Sequence, residues 1–288
     1  MLLAALAAVT PARAACRAQA VVSVPLGDLG GLWTVPVAID GKPAAFVLDT
    51  GAERTVIGDA AMRRLGLARD AWVSTALRGV GGVERRANAT ARGLTLGGVA
   101  LRRPFGPPSL AVASLPVDGL LGADYLAAFD IEVDPGASRL TLHAPQGCDT
   151  PAWSTPPWST PHVAIPSARP RRTLLLVPVT VDGVTLAAQL DTGATVSLLS
   201  RRGLARLGVA APGAPDGSAG GVGPQRLALA RHRAGELRLG PLTLRDIDLA
   251  TGAPAGGFAF DMLLGLDVLR QRSFWVSYAT NRLLIAAR

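Results

Sequence analysis

Apolar and polar residues alternate from Val35 to Ile39 and again, beyond Asp40-Gly41, from Ala44 to Leu48. A period of two over β-branched residues, on either side of an Asp-Gly pair, predicts a β-hairpin. From Asp59 to Leu65 the spacing becomes helical and stops at Gly66. A Gly-rich hairpin is expected at Gly79 to Gly82, short strands between Leu94 and Leu101, and a short helix near Asp124 after Leu120-Leu121-Gly122. The same order then begins again, with Asp182-Gly183 as the turn and Ser200 as the N-cap of a helix that runs to Leu207 and stops at Gly208. It continues through a second Gly-rich hairpin around Gly220 to Gly223, strands between Leu237 and Leu244, and Leu263-Leu264-Gly265 before Asp267. Many short strands with one or two small helices per copy make a mainly β protein of two homologous barrel-like lobes.

The copies align residue by residue. Asp49-Thr50-Gly51-Ala52 recurs as Asp191-Thr192-Gly193-Ala194, an offset of 191 − 49 = 142. The same offset lays Val35-Pro36-Val37 on Val177-Pro178-Val179 and Gly79-Val80-Gly81 on Gly221-Val222-Gly223. One further residue of slip lays Leu121-Gly122 on Leu264-Gly265, Asp124 on Asp267, and Arg139-Leu140 on Arg282-Leu283. A single insertion over so long a stretch marks a duplicated domain.

Four segments follow. Residues 1–14 read as an export signal, with an apolar stretch from Leu2 to Val9 and small residues at Ala12 and Ala14 for cleavage before Ala15. Residues 15–148 form the first lobe and 173–288 the second. Residues 149–172 are rich in Pro, Ser, Thr and Trp and read as an extended linker, because dense prolines block helices and central strands. The expected location is therefore exported, periplasmic or secreted. Cys16 and Cys148 stand at the two ends of the first lobe, where a disulfide would form in an oxidising compartment; two unpaired thiols are the alternative.

Composition narrows the function classes. The net charge of +8 comes from scattered arginines, with Lys42 the one lysine, and no aromatic-interleaved basic patch accompanies it, so nucleic acid is not expected as a partner. No stretch after the signal is long and apolar enough for an integral membrane span. His143, His162 and His232 are isolated and lack ligand spacing, so neither a metal nor another cofactor is expected.

The chemistry lies in the repeated tetrapeptide. A twofold arrangement of the two lobes would bring Asp49 and Asp191 face to face. Two carboxylates roughly 3 Å apart cannot both ionise, so they share one proton, and a water held between them can be deprotonated by one while the other acts as an acid. Gly51 and Gly193 let the backbone approach closely and aim N–H groups at the carboxylates.

The strand-Asp-Thr-Gly-Ala turn, the Gly-rich hairpin and the later apolar-apolar-Gly segment resemble the retroviral-type, or retropepsin-like, aspartic proteases. Here the pattern occurs twice, over nearly the whole chain apart from signal and linker. The resemblance implies two acid-protease-like β-barrel lobes related by pseudo-twofold symmetry, an aspartic endopeptidase with Asp49 and Asp191 as its dyad, and a peptide or protein substrate. It implies that Thr50 and Thr192 bond across the lobe interface and that Gly122 and Gly265 let their segments pass beneath the catalytic turns. Gly79, Val80, Gly81 and Gly82, with Gly221, Val222 and Gly223, look like flaps over a substrate. Ala52 and Ala194 stand where pepsins carry a hydroxyl, which implies a less acidic pair and a mildly acid optimum. Asp124 and Asp267 are expected as N-caps and turn acceptors. Two lobes in one chain imply a monomer; lobes exchanged between two chains, and a peptide-binding protein that does not cleave, are the alternatives.

Overall fold

A computed structural model describes residues 17–102, 109–146, 161–167, 173–210, 213–255 and 259–287. The residues read as an export signal, Cys16, Cys148, and residues 149–160 and 168–172 of the segment read as a linker lie outside the described residues. Among the described residues the fold is mainly β with four short helices, as the alternation predicts.

Each lobe is built around the same four-strand crossing. In the first, Lys42–Leu48 runs parallel to Gly119–Leu121, which is antiparallel to Val56–Gly58, which is parallel to Ser109–Ala113. In the second, Val184–Leu190, Met262–Leu264, Leu198–Leu199 and Leu242–Thr251 repeat that order of parallel, antiparallel and parallel contacts. The strand Leu176–Val181 pairs with both Val184–Leu190 and Leu227–Leu239 and so closes the second lobe into a barrel. Both opening hairpins turn at the expected Asp-Gly pairs, with positive φ at Asp40, Gly41, Asp182 and Gly183, the backbone that a two-residue hairpin turn needs.

The helix Asp59–Leu65 ends at Gly66 in the left-handed conformation, and Arg201–Arg206 begins under Ser200, whose Oγ accepts the N–H of Gly203 at 3.2 Å. Ala123–Leu126 and Leu266–Leu269 differ from expectation. Their N-caps are Gly122 and Gly265, and Asp124 and Asp267 fall inside the first turn.

A six-stranded antiparallel sheet joins the lobes. Its central pair is Asp130–Asp134 from the first lobe and Phe274–Ser277 from the second, with Ile131 opposite Val276 and Val133 opposite Phe274. One face carries Ile131, Val133, Leu140, Leu142, Phe274, Val276, Leu283 and Ile285 into a core continuous with both lobes. Part of the segment read as linker belongs to this sheet. His162–Pro166 pairs with Arg282–Ala286 at its edge, as Arg17–Pro25 pairs with Arg139–Gln146 at the other. Proline is compatible with an extended edge strand, where no ladder bond is lost.

Candidate active site

The strands Lys42–Leu48 and Val184–Leu190 each end on an aspartate, and each aspartate is drawn across its parallel neighbour. Asp49 N–H donates to the Leu121 carbonyl and Asp191 N–H to the Leu264 carbonyl, both at 3.0 Å. The turns that follow meet at the boundary between the lobes. Thr192 Oγ1 accepts the N–H of Thr50 at 3.0 Å and donates to the Leu48 carbonyl at 2.6 Å. Thr50 Oγ1 accepts the N–H of Thr192 at 3.1 Å and donates to the Leu190 carbonyl at 3.2 Å. Both threonines are buried, so four hydrogen bonds that water cannot reach lock one turn to the other.

The glycines bring the carboxyls together. A Cβ on Gly51 would lie 2.5 Å from Asp191 Oδ1, and one on Gly193 would lie 2.5 Å from Asp49 Cγ. Only a residue without a side chain fits against the opposite carboxyl at this distance. Gly51 and Ala52 donate their N–H groups to Asp49 Oδ1 at 3.0 and 2.9 Å, and Gly193 donates to Asp191 Oδ1 at 2.9 Å. The two carboxyls are close enough that each acts on the ionisation of the other.

Burial governs their ionisation. It raises Asp49 well above the ordinary carboxylate range, with the charge of Asp191 adding to it, against the pull of the Ala52 and Gly51 N–H groups. Burial likewise raises Asp191, to about 6, opposed by its bonds to Gly193, Asp49 and Ala194. Like charges this close disfavour double ionisation, so the pair titrates as one unit that retains a proton into the mildly acid range.

Beneath the turns, a Cβ on Gly122 would lie 2.9 Å from the Ala52 carbonyl oxygen and one on Gly265 would lie 3.0 Å from that of Ala194. A residue that the sequence reading passed over ties each crossing. Thr55 Oγ1 accepts the N–H of Gly122 at 2.9 Å and donates to Asp124 Oδ1 at 2.7 Å. Ser197 Oγ does the same between Gly265 at 3.0 Å and Asp267 Oδ1 at 2.6 Å. Asp124 and Asp267 are thus acceptors that clamp the end of each turn. A hydroxyl six residues after each aspartate (55 − 49 = 197 − 191 = 6) was the signal for this pair.

The two Gly-rich hairpins meet at their tips. Arg69–Gly79 pairs with Gly82–Thr90, and Gly217–Ala219 pairs with the start of Leu227–Leu239. Gly81 N–H donates to the Val222 carbonyl, and Gln225 N–H donates to the Gly81 carbonyl, both at 3.0 Å. The valines cross over. Val222 packs on Val56, Leu77, Ala111 and Ala113 of the first lobe, and Val80 packs on Leu198, Leu227, Phe260 and Leu263 of the second.

Residues 35–125 match a family model described as aspartyl protease, and residues 177–271 match one described as gag-polyprotein putative aspartyl protease. The chain belongs to the retropepsin-like aspartic protease family, with two such domains. The fold of this family member is similar to the crystal structure of aspartic proteinase from Irpex lacteus, with a TM-score of 0.56 over 92% of this chain and 96% of that one at 16% identity. A retropepsin-like aspartic protease from Rickettsia conorii aligns over 46% of this chain and 96% of its own at 21% identity, with a TM-score of 0.33. No curated protein matches the sequence.

The two domains of this aspartic protease are not copies at every position. Glu53 of the first turn accepts from Thr173 Oγ1 of the second lobe at 3.3 Å, whereas the equivalent Thr195 lies against Gly31 of the first. Arg270 of the second lobe pairs with Asp28 at 3.0 Å, bonds the Gly31 carbonyl and lies over the Trp33 ring.

Proposed function

We propose that the chain is an exported, single-chain aspartic endopeptidase whose dyad is Asp49 and Asp191. The observation that supports this most is the pair itself: a buried Asp49 and a half-buried Asp191, each against the glycine of the opposite turn, at a lobe boundary that the Thr50–Thr192 grip makes rigid. With one proton on the pair, the ionised carboxyl takes a proton from a water whose oxygen attacks the peptide carbonyl carbon. The protonated carboxyl gives its proton to the carbonyl oxygen, which yields a neutral tetrahedral diol. Return of a proton to the nitrogen then lets the C–N bond break, leaving an acid and an amine.

The raised pKa of both carboxyls supports a mildly acid working range, in which the singly protonated pair dominates. The paired tips at 79–82 and 221–223 act as flaps that part to admit a peptide and close to exclude water. Because both halves of the site are in one chain, the monomer is the working form, and the N-terminal signal pattern supports export.

The test is cleavage of a diverse peptide mixture by the full chain across pH 3 to 7, beside Asp49→Asn and Asp191→Asn. Activity in the wild type that both single variants lose is the expected result. Activity that survives either substitution overturns the dyad. A folded wild type that binds peptides and cleaves none at any pH replaces this function with that of a binding protein.

A further inference from the structure

Gln189 stands two residues before Asp191, on the strand Val184–Leu190, with its side chain buried. Its Nε2 donates to the carbonyl of Gly51 at 3.2 Å, across the lobe boundary. That carbonyl belongs to the same peptide group as the N–H of Ala52, which donates to Asp49 Oδ1 at 2.9 Å. A donor on the oxygen of a peptide group polarises it and strengthens its N–H as a donor. Gln189 is therefore the far end of a two-bond relay that terminates on Asp49.

The first lobe has no such relay to return. The position equivalent to Gln189 is Val47 (189 − 142 = 47), which carries no donor for the Gly193 carbonyl. The main-chain bonds match this difference: Ala52 N–H lies 2.9 Å from Asp49 Oδ1, slightly closer than Gly51 N–H at 3.0 Å, whereas the close main-chain donor to Asp191 Oδ1 is Gly193, at 2.9 Å.

We infer that Gln189 is a positioning residue for the pair, stabilising the ionised form of Asp49 through the Gly51–Ala52 peptide and lowering the pH at which the pair releases its first proton. This deepens the proposed function and rests on its one-proton dyad. The titratable groups that act on the pair, among the described residues, are the two carboxyls themselves and Tyr278, which follows the strand Phe274–Ser277. Burial and the charge of Asp49 keep the Tyr278 hydroxyl protonated far into the alkaline range. Gln189 is neutral, so it displaces the titration of the pair without adding a step to it.

The experiment is a carbon-13 NMR titration of the aspartate carboxyls in the full chain, with the pair assigned by the signals lost in Asp49→Asn and Asp191→Asn. In Gln189→Leu the first apparent pKa is expected to rise by about 0.3, the size of a ~10–30% weakening of one charge-assisted bond. Val47→Gln offers the mirror-image donor to Gly193 and is expected to lower it by about as much. General loosening of the core would move both variants the same way. An unchanged first pKa in folded Gln189→Leu, or displacements of the same sign in both, overturns the inference. If one variant does not fold, the direction in the other decides. NMR reads the relay whether or not the chain cleaves peptides, so failure of the proposed function shows separately, in the cleavage assay.

Discussion

Replacing Thr192 by valine keeps its shape and removes its hydroxyl. Two buried main-chain groups then lose their partner: the Leu48 carbonyl, which accepts from Thr192 Oγ1 at 2.6 Å, and the Thr50 N–H, which donates to it at 3.0 Å. No part of Thr192 is exposed, so water cannot take over either bond. An orphaned buried group costs about 1–3 kcal/mol, which puts Thr192→Val at about 2–6 kcal/mol. A whole domain is stable by only about 5–15 kcal/mol. Thr192→Ser retains the hydroxyl and loses a methyl, for about 1 kcal/mol. Urea unfolding followed by fluorescence compares the two midpoints, with an altered slope signalling that the lobes come apart before they unfold. A valine variant within about 1 kcal/mol of wild type, or one indistinguishable from the serine variant, would refute the reading of the grip as the lock between the turns.

Other perturbations follow from the same geometry. Both carboxyls hold their protons more tightly in the folded state, so this contribution to stability is complete below about pH 4 and, for Asp191, is lost as pH rises through about 6. Asp191 alone, moved from 3.8 to about 6, corresponds to about 3 kcal/mol. Asp191→Asn is accordingly expected to melt above wild type at pH 7 and level with it near pH 3.5, and a difference independent of pH would count against the buried pair. Gly193→Ala places a Cβ 2.5 Å from Asp49 Cγ and is expected to cost at least ~2 kcal/mol. Gly217→Ala meets nothing within 4 Å and should change stability by less than ~0.5 kcal/mol, so equal effects in a melting experiment would contradict the close approach. In Gly81→Ala the new Cβ would lie 2.9 Å from the Gly223 carbonyl oxygen, which should part the hairpin tips. Faster amide exchange at residue 81, whose N–H bonds the Val222 carbonyl, is the expected readout, and unaltered protection would mean that the tips tolerate the methyl.

Features that repeat in the sequence were the legible ones. Strand, turn and aspartate recur at a fixed offset, and pairing Asp49 with Asp191 needed only the idea that two copies face each other. Local chemistry also identified Asp40-Gly41, Gly66 and Ser200, because a turn or a cap is decided within a few residues. Contacts between distant segments were harder. Asp124 and Asp267 look like caps from their position, yet their carboxylates serve Thr55 and Ser197 because the crossing of two loops brings those hydroxyls within reach. His162–Pro166 reads as linker by its prolines and becomes a strand because the sheet between the lobes has an edge to accept it. Gln189 has no counterpart in the other repeat, so the comparison of copies that found the dyad passed over it.

The sheet that joins the lobes also sets an order of assembly. Its central rungs link Ile131 to Val276 and Val133 to Phe274, partners separated by about half the chain. Closing such a loop is slow, and each lobe can collect its own local contacts first. During synthesis the first lobe can fold around Asp49 while the residues that complete the grip and the sheet have yet to emerge. A lone half-site has no partner carboxyl to share a proton with. The paired carboxyls therefore come together only once the last strands have been made and docked, so a truncated or half-translated chain carries the motif without the pair.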